Sequence, residues 1–302
     1  MNLDALVIIL TAGLLATACG VLGSFLVLRR QALMSDAVSH AVLPGIVLVF
    51  LLTGSRAALP TVLGATLVGV ACVLGFEALR RTGLVRADAA IALTFPALFS
   101  LGVIGVSKFA SGAHLDLDTA IYGEITFAPL RTLAVAGLDV PRSLLVTGLA
   151  AVLTLLLVVV VLWRPLQAST LDPQFGEIAG LRGQLAQRVL LVASTAVAVV
   201  AFDSVGAILV VAFFVVPAAA AHLLATRLAT MLILAVAVGW ASAVTGHWAA
   251  VHYDTSISGT IGLATVVCFV LARLLAPRRG LLWRAWRRQV GADRFTARWY
   301  DV

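Results

Sequence analysis

Apolar residues run for about twenty positions at a time along this chain, broken by short polar stretches, and that length lets an α-helix cross a bilayer. Read this way, the pattern predicts spans over 6–28, 33–53, 58–79, 88–107, 143–163, 186–203, 205–224, 229–248 and 257–275. The runs do not alternate at every second residue, which excludes a transmembrane β-barrel. Two spans meet at Asp203-Ser204. If they form one broken or re-entrant element, eight helices result instead of nine. The expected fold class is therefore all-α, a polytopic membrane helix bundle. Residues 1–276 make up its membrane domain. The first run, Leu6 to Leu28, is longer than a signal-peptide core and follows Asp4 with no Lys or Arg before it, so it is expected to remain as the first membrane helix.

Composition supports this class. The 302 residues are 62% hydrophobic and 12% charged, with a mean hydropathy of +1.09, against roughly 45–50% and about 25% in a soluble domain. The net charge of +7 is distributed by side. One set of breaks carries Arg29, Arg30, Arg80, Arg81, Arg86, Arg164, Arg182, Arg188, Arg227 and the arginines from Arg273 onward; the other carries Arg56, Lys108, Arg131 and Arg142. Basic residues stay in the cytoplasm, so the N-terminus is expected outside and the C-terminus inside. Asp4, Asp116, Asp118, Glu124, Asp139, Asp254, His114, His247 and His252 then fall on the outer side. Such a mouth would concentrate a divalent cation. Each residue taken singly is also accounted for by a polar loop: Asp116 and Asp118 by a turn, Glu124 by the cap of a short outer helix, His247 and His252 by an exposed turn. Cys19, Cys72 and Cys268 lie in apolar runs without a CxxC pair and read as small packing residues.

Two cytoplasmic segments stand out. The first, 164–188, reads RPLQASTLDPQFGEIAGLRGQLAQR. Asp172 suits a helix cap, Pro173 the first helical position and Gly180 the helix end. A short helix held there is a docking element for another protein or a surface loop with local helix. The second is the arginine-rich tail 277–302, where Leu282, Trp283 and Trp286 interleave with arginines as in an interfacial amphipathic helix.

Candidate chemistry centres on 29–45, RRQALMSDAVSHAVLPG. Asp36 and His40 are four residues apart and share one helix face. A carboxylate and an imidazole at membrane depth are costly without a partner or a task. Oxygen-plus-nitrogen ligation suits divalent manganese, iron and zinc. The alternative reading is a capping Asp36 and a His40 bonded to a neighbouring helix. The single lysine, Lys108, has no phosphate-loop motif around it. His-Glu-x-x-His and Gly-x-Ser-x-Gly motifs are absent, so nothing marks an enzyme. No permanently bound cofactor is expected.

Together these stretches resemble the permease subunits of bacterial ABC metal-uptake transporters, the group handling zinc, manganese and iron. The resemblance runs to about Pro277 and rests on LVLRRQALMSDAVSHAVLPGI, on RADAAIALTFPALFSLGV with Asp88, on LDPQFGEIAGLR, and on VGAILVVAFFVVPAAAAHLLATRL with its central Pro217. His222 and the tail depart from the family pattern. The resemblance implies an importer with cytoplasmic ATPase subunits, an extracytoplasmic metal-binding protein and a second permease subunit, identical or paralogous. It implies metal contact at Asp36 and His40, the two positions that match the motif residue by residue; Asp88 matches a family position but equally suits a helix cap, and Glu124, His247 and His252 of the outer mouth are weaker metal candidates from the residue pattern alone. It also implies coupling to the ATPase through 171–182, with Asp172, Pro173, Glu177 and Gly180 as landmarks. IYGEITFAPL is closer to members associated with manganese. A different class, an ion-coupled secondary transporter using Asp36, His40 and Asp88, fits the same intramembrane charges.

Overall fold

The computed structural model describes residues 3–53, 58–109, 125–130, 132–135, 138–171 and 178–276. Nine long helices occupy the expected places. They are α1 (Leu3–Leu28), α2 (Leu33–Thr53), α3 (Ala58–Arg81), α4 (Ala87–Phe109), α5 (Arg142–Leu155), α7 (Gly183–Val205), α8 (Ala207–Leu224), α9 (Leu228–Tyr253) and α10 (Ile257–Leu275). Helix α5 passes without a break into a π-helical stretch, Leu156–Val161, and a short helix, α6 (Trp163–Leu171), follows. Among the described residues, seven helices meet the length and hydropathy of a membrane span; α2 and α4 add 21 and 23 helical residues.

The junction at Asp203-Ser204 resolves into two helices. The break falls at Gly206, whose φ of 84° lies in the left-handed region that glycine adopts without strain. Ser258 at the start of α10 donates to the Val205 carbonyl at 3.2 Å and so holds one of the freed groups at that break. One element was not expected. After a 3-10 turn, Ile125–Phe127, comes an antiparallel hairpin, β1 (Thr132–Val135) with β2 (Leu138–Pro141), in which Leu133 faces Val140. The span expected to end at 248 runs on to Tyr253, and Asp254 closes it in the left-handed conformation.

Helix α1 is apolar on every side, as suits a helix surrounded by others. It packs against α5, α7, α8 and α9, and its Leu15, Leu22 and Phe25 join Phe76, Leu190, Phe213 and Phe214 among the fully buried side chains. Helix α2 lies among α3, α4, α7 and α8. Large apolar side chains cover the outside, for example Leu149, Val152 and Leu153 on α5 and Val160 on the π-helical stretch, as a lipid-facing surface requires. Pro44, Pro96 and Pro217 sit inside helices, which membrane helices tolerate because neighbours compensate the lost hydrogen bonds.

Small residues set the helix spacing. In lipid there is no hydrophobic drive between helices, so close backbone approach carries their association. A Cβ placed on Gly45 of α2 would lie 2.5 Å from Ala65 Cα of α3, and one on Gly102 of α4 would lie 2.9 Å from the Pro44 nitrogen. The Pro-Gly pair is thus the point where α2 touches both neighbours. Gly45→Val should cost about 1–3 kcal/mol through overpacking and lower the thermal midpoint of the detergent-solubilised protein. Gly148→Ala, where the nearest atom is Leu14 Cδ1 at 3.6 Å, should leave it unchanged.

Candidate functional site

The site is built from the turn between α1 and α2. The Gln31 amide donates to the Leu26 carbonyl at 2.8 Å and the Arg30 amide to the Val27 carbonyl at 3.1 Å. This is a Schellman closure with Arg30 in the left-handed position at φ 56°, where glycine is usual. The tight turn reverses the chain, so α2 starts at the end of the bundle where α1 stops. Asp36 lies in the first turn of α2 and is partly buried. His40 follows one turn later, and Pro44-Gly45 another turn on. Helical spacing puts positions 36 and 40 one turn apart on one face of α2.

The same end of the bundle carries a set of arginine contacts. Arg29 Nη2 donates to Ser169 Oγ at 2.8 Å and to Thr170 Oγ1 at 3.0 Å, and its Nε donates to Thr170 Oγ1 at 3.2 Å. Burial lowers the Arg29 pKa from the ordinary arginine value, and the like charge of Arg80 adds to that. Glu77, near the end of α3, is buried; Arg81 Nη2 reaches its Oε1 at 2.6 Å and Arg188 Nε at 3.4 Å. Glu77 is not among the residues that the sequence pattern singles out. The available signal was an acid inside an apolar run, four residues before an arginine on the same helix.

These contacts identify the ends. Helices α1 and α3 finish, and α2, α4 and α7 begin, at the Arg29–Glu77 end. Asp88, the second residue of α4, belongs there too. At the opposite end, Arg142 opens α5 and pairs with Asp203 of α7 at 3.6 Å. Helix α8 returns from that end and α9 climbs back to it, which carries His247 and His252 away from Asp36. The structure corrects the expectation for His247. It lies inside α9 rather than in an exposed turn, is buried, and its Nδ1 has no hydrogen-bond partner. His252 is exposed and meets the Tyr253 ring edge-on at 5.0 Å. Neither is gathered with Asp36. Among the described residues, no three His, Cys, Asp or Glu side chains form a metal cage. Cys19, Cys72 and Cys268 are free thiols.

Of the expected coupling landmarks, Gly180 stands in a left-handed turn at φ 68°, as a helix-ending glycine should. Asp172, Pro173 and Glu177 lie outside the described residues, as do Glu124, His114, Asp116, Asp118 and the tail 277–302. The segment 164–188 contains more helix than its polarity suggests, because 163–171 forms α6 directly beneath α5.

The profile of the ABC 3 transport family matches residues 5–276. The chain is 40% identical over 277 residues to the manganese transport system membrane protein MntD of Bacillus subtilis, covering 91% of this chain and 93% of that one. It is likewise 40% identical over 277 residues to the zinc transport system membrane protein TroD of Treponema pallidum, covering 92% and 75%. Among solved structures it is similar to a chain of PsaBC from Streptococcus pneumoniae in complex with Fab, with a TM-score of 0.76, 26% identity and coverage of 92% and 94%. With a bundle of apolar helices, an enclosed α2 and similarity along nine-tenths of its length, the chain belongs to the ABC 3 transport family and is a multi-pass cell-membrane permease.

Proposed function

We propose that the chain is the permease subunit of an ATP-driven importer of a divalent transition metal, and that the ion passes Asp36 and His40. The observation that carries this reading is the 40% identity, along nine-tenths of this chain, to membrane proteins of manganese and zinc transport systems. Manganese is favoured slightly, since a third relative, the manganese transport system membrane protein MntC of Halalkalibacterium halodurans, is 36% identical over 279 residues, 92% of this chain and 89% of that one. Zinc and iron suit the same donors. The ion is cargo. One carboxylate and one imidazole, without a closed cage, bind it weakly enough to let it go.

With α2 rising from the cytoplasmic side, Asp36 stands about 4 Å and His40 about 10 Å along the axis from Leu33. The pair therefore occupies the cytoplasmic half of the helix. Its cost at that depth is offset by water, by neighbouring groups or by the passing ion.

ATP hydrolysis resides on separate cytoplasmic subunits, because no phosphate-binding loop surrounds Lys108. An extracytoplasmic binding protein delivers the ion, a second permease subunit completes the pathway, and 171–182 docks on the ATPase. Ion-coupled secondary transport through Asp36, His40 and Asp88 has no comparable support.

Radioactive manganese uptake into cells tests the pathway. Asp36→Ala, Asp36→Asn and His40→Ala should each reduce uptake by at least the roughly tenfold that losing an outer partner of a bound metal costs, at normal membrane levels. His247→Ala and His252→Ala should have smaller effects. Normal uptake in the Asp36/His40 double variant would reduce the pair to a structural role.

Copurification tests the docking. Asp172→Ala with Glu177→Ala should weaken retention of the ATPase subunit on the tagged permease. A complex in which 171–182 touches no partner would remove the assignment.

Cysteine labelling tests the orientation. A cysteine placed at Gln174, with the native cysteines replaced, should react with a membrane-impermeant maleimide only after the cells are opened. Labelling from outside would invert the topology.

A further inference from the structure

Helices α5 and α9 both pack on α1 but not closely on each other. The π-helical stretch after α5 continues onto α6 and leaves the surface of α1. An open groove of about 520 Å³ results. Thr17 and Val21 of α1 form its floor. Val159 and Trp163 stand on one side, and Ala229, Ile233 and Val236 of α9 on the other. Those three recur at four and three residues, which is one stripe of a helix face. The hydroxyl of Thr17 is already engaged: it donates to the Gly13 carbonyl at 2.9 Å and accepts from Trp240 Nε1 at 3.0 Å. Between its ends the groove therefore offers contact to hydrocarbon alone.

Depth and charge select the occupant. From Ala229 to Val236 the groove runs about 10 Å along α9. One leaflet contributes about 15 Å of hydrocarbon, so the groove takes up most of the depth of one leaflet. Its Ala229 end lies at the arginine-rich face where α1 stops, read above as cytoplasmic. Trp163 stands at that end, as tryptophans do at a membrane interface. Arg164 follows Trp163 directly, and Arg227 precedes Ala229 by two positions. Both are exposed, and among the described residues the side chain of neither has a hydrogen-bond or ion-pair partner. Arginine side chains at helix ends extend to headgroup level. Two unpaired cations above an apolar slot match a molecule with an anionic head and a hydrocarbon tail. Helix α2 packs on α3, α4, α7 and α8, so a second permease subunit that completes the pathway there does not need this face.

We propose that this groove binds one phospholipid of the leaflet at the arginine-rich end, with an acyl chain between α5 and α9 and an anionic headgroup at Arg164 and Arg227. The π-helical stretch gains a use: by departing from α1 it opens the space that the chain fills. Such turns are frequent at functional sites. The site does not depend on which ion is carried.

Native mass spectrometry of the full-length permease, released from nanodiscs holding equal amounts of phosphatidylglycerol and phosphatidylcholine, counts the lipids that stay bound. Each wild-type chain should retain one phosphatidylglycerol in preference to phosphatidylcholine. Arg164→Gln and Arg227→Gln should each lower that preference about fivefold, the contribution of one basic residue at an anionic surface. Ala229→Phe fills the groove with both arginines in place and should release the lipid. The arginine variants decide the matter if Ala229→Phe fails to insert. Arg86→Gln removes an exposed arginine just before α4, which packs on α2 and α3, and should change nothing. A loss in Arg86→Gln equal to that in Arg164→Gln overturns the proposal, because general surface charge then holds the lipid. Equal retention of both lipids by the wild type overturns it too. A second copy of the chain is the competing occupant. Ile233→Cys, in a chain whose native cysteines are replaced, would then cross-link to its counterpart in membranes, and that result also overturns the proposal.

Discussion

Close approach of helix backbones is the constraint on which the rest of this molecule depends. Lipid tails are as apolar as the leucines and valines that face them, so burial of apolar area cannot hold membrane helices together as it does in water. Contact at small residues takes its place. Gly23 of α1 meets the Phe214 carbonyl of α8, Gly239 of α9 fits against Ala16 of α1, and Gly246 of α9 against Ile261 of α10. The tightest such group surrounds α2, where Gly45, Gly64 and Gly102 bring three helix backbones together around the helix that carries Asp36 and His40.

Charge is arranged around that packing. Among the described residues, the ion pairs stand at the two ends of the bundle. Arg142–Asp203, at 3.6 Å with both side chains partly exposed, closes the end opposite Asp36. Exposed pairs of this kind contribute about 0–1 kcal/mol. Glu77 is different because it is buried between Arg81 and Arg188. Both arginines are about half exposed, and loss of Arg188 would leave Arg81 on Glu77 at 2.6 Å, so the α3–α7 contact adds little more than an exposed pair does. The Arg29 tie has hydroxyl acceptors instead, and it carries no counter-charge of its own.

The sequence alone settled the class of the protein and where its helices lie. Runs of about twenty apolar residues dictate membrane helices regardless of their neighbours, because an unpaired backbone group in lipid is too costly; all nine expected runs are helical. The left-handed turn at Gly180 was also legible, because such a turn favours a residue without a side chain. The helix limits at 205 and 253 were less so. The stop at Gly206 needed only the adjacent glycine, but α9 continues through His247 and His252 to Tyr253, with His247 and Ala250 buried and Trp248, Val251 and Tyr253 exposed.

Only the tertiary structure decided which residues meet. His247 belongs to the polar mouth by sequence yet is buried, at the end of the bundle away from Asp36, since the direction of each helix fixes which side chains share a level. Glu77 looked like one acid in an apolar run until α7 brought Arg188 to it from 111 positions away. Arg29 looked like one half of a basic pair until α6 placed two hydroxyls within 3.2 Å. Apolar periodicity reports which segments enter the membrane. It carries no information about which helix stands beside which, because that choice is made by the shape of small residues and by a few long-range polar contacts that no local pattern records.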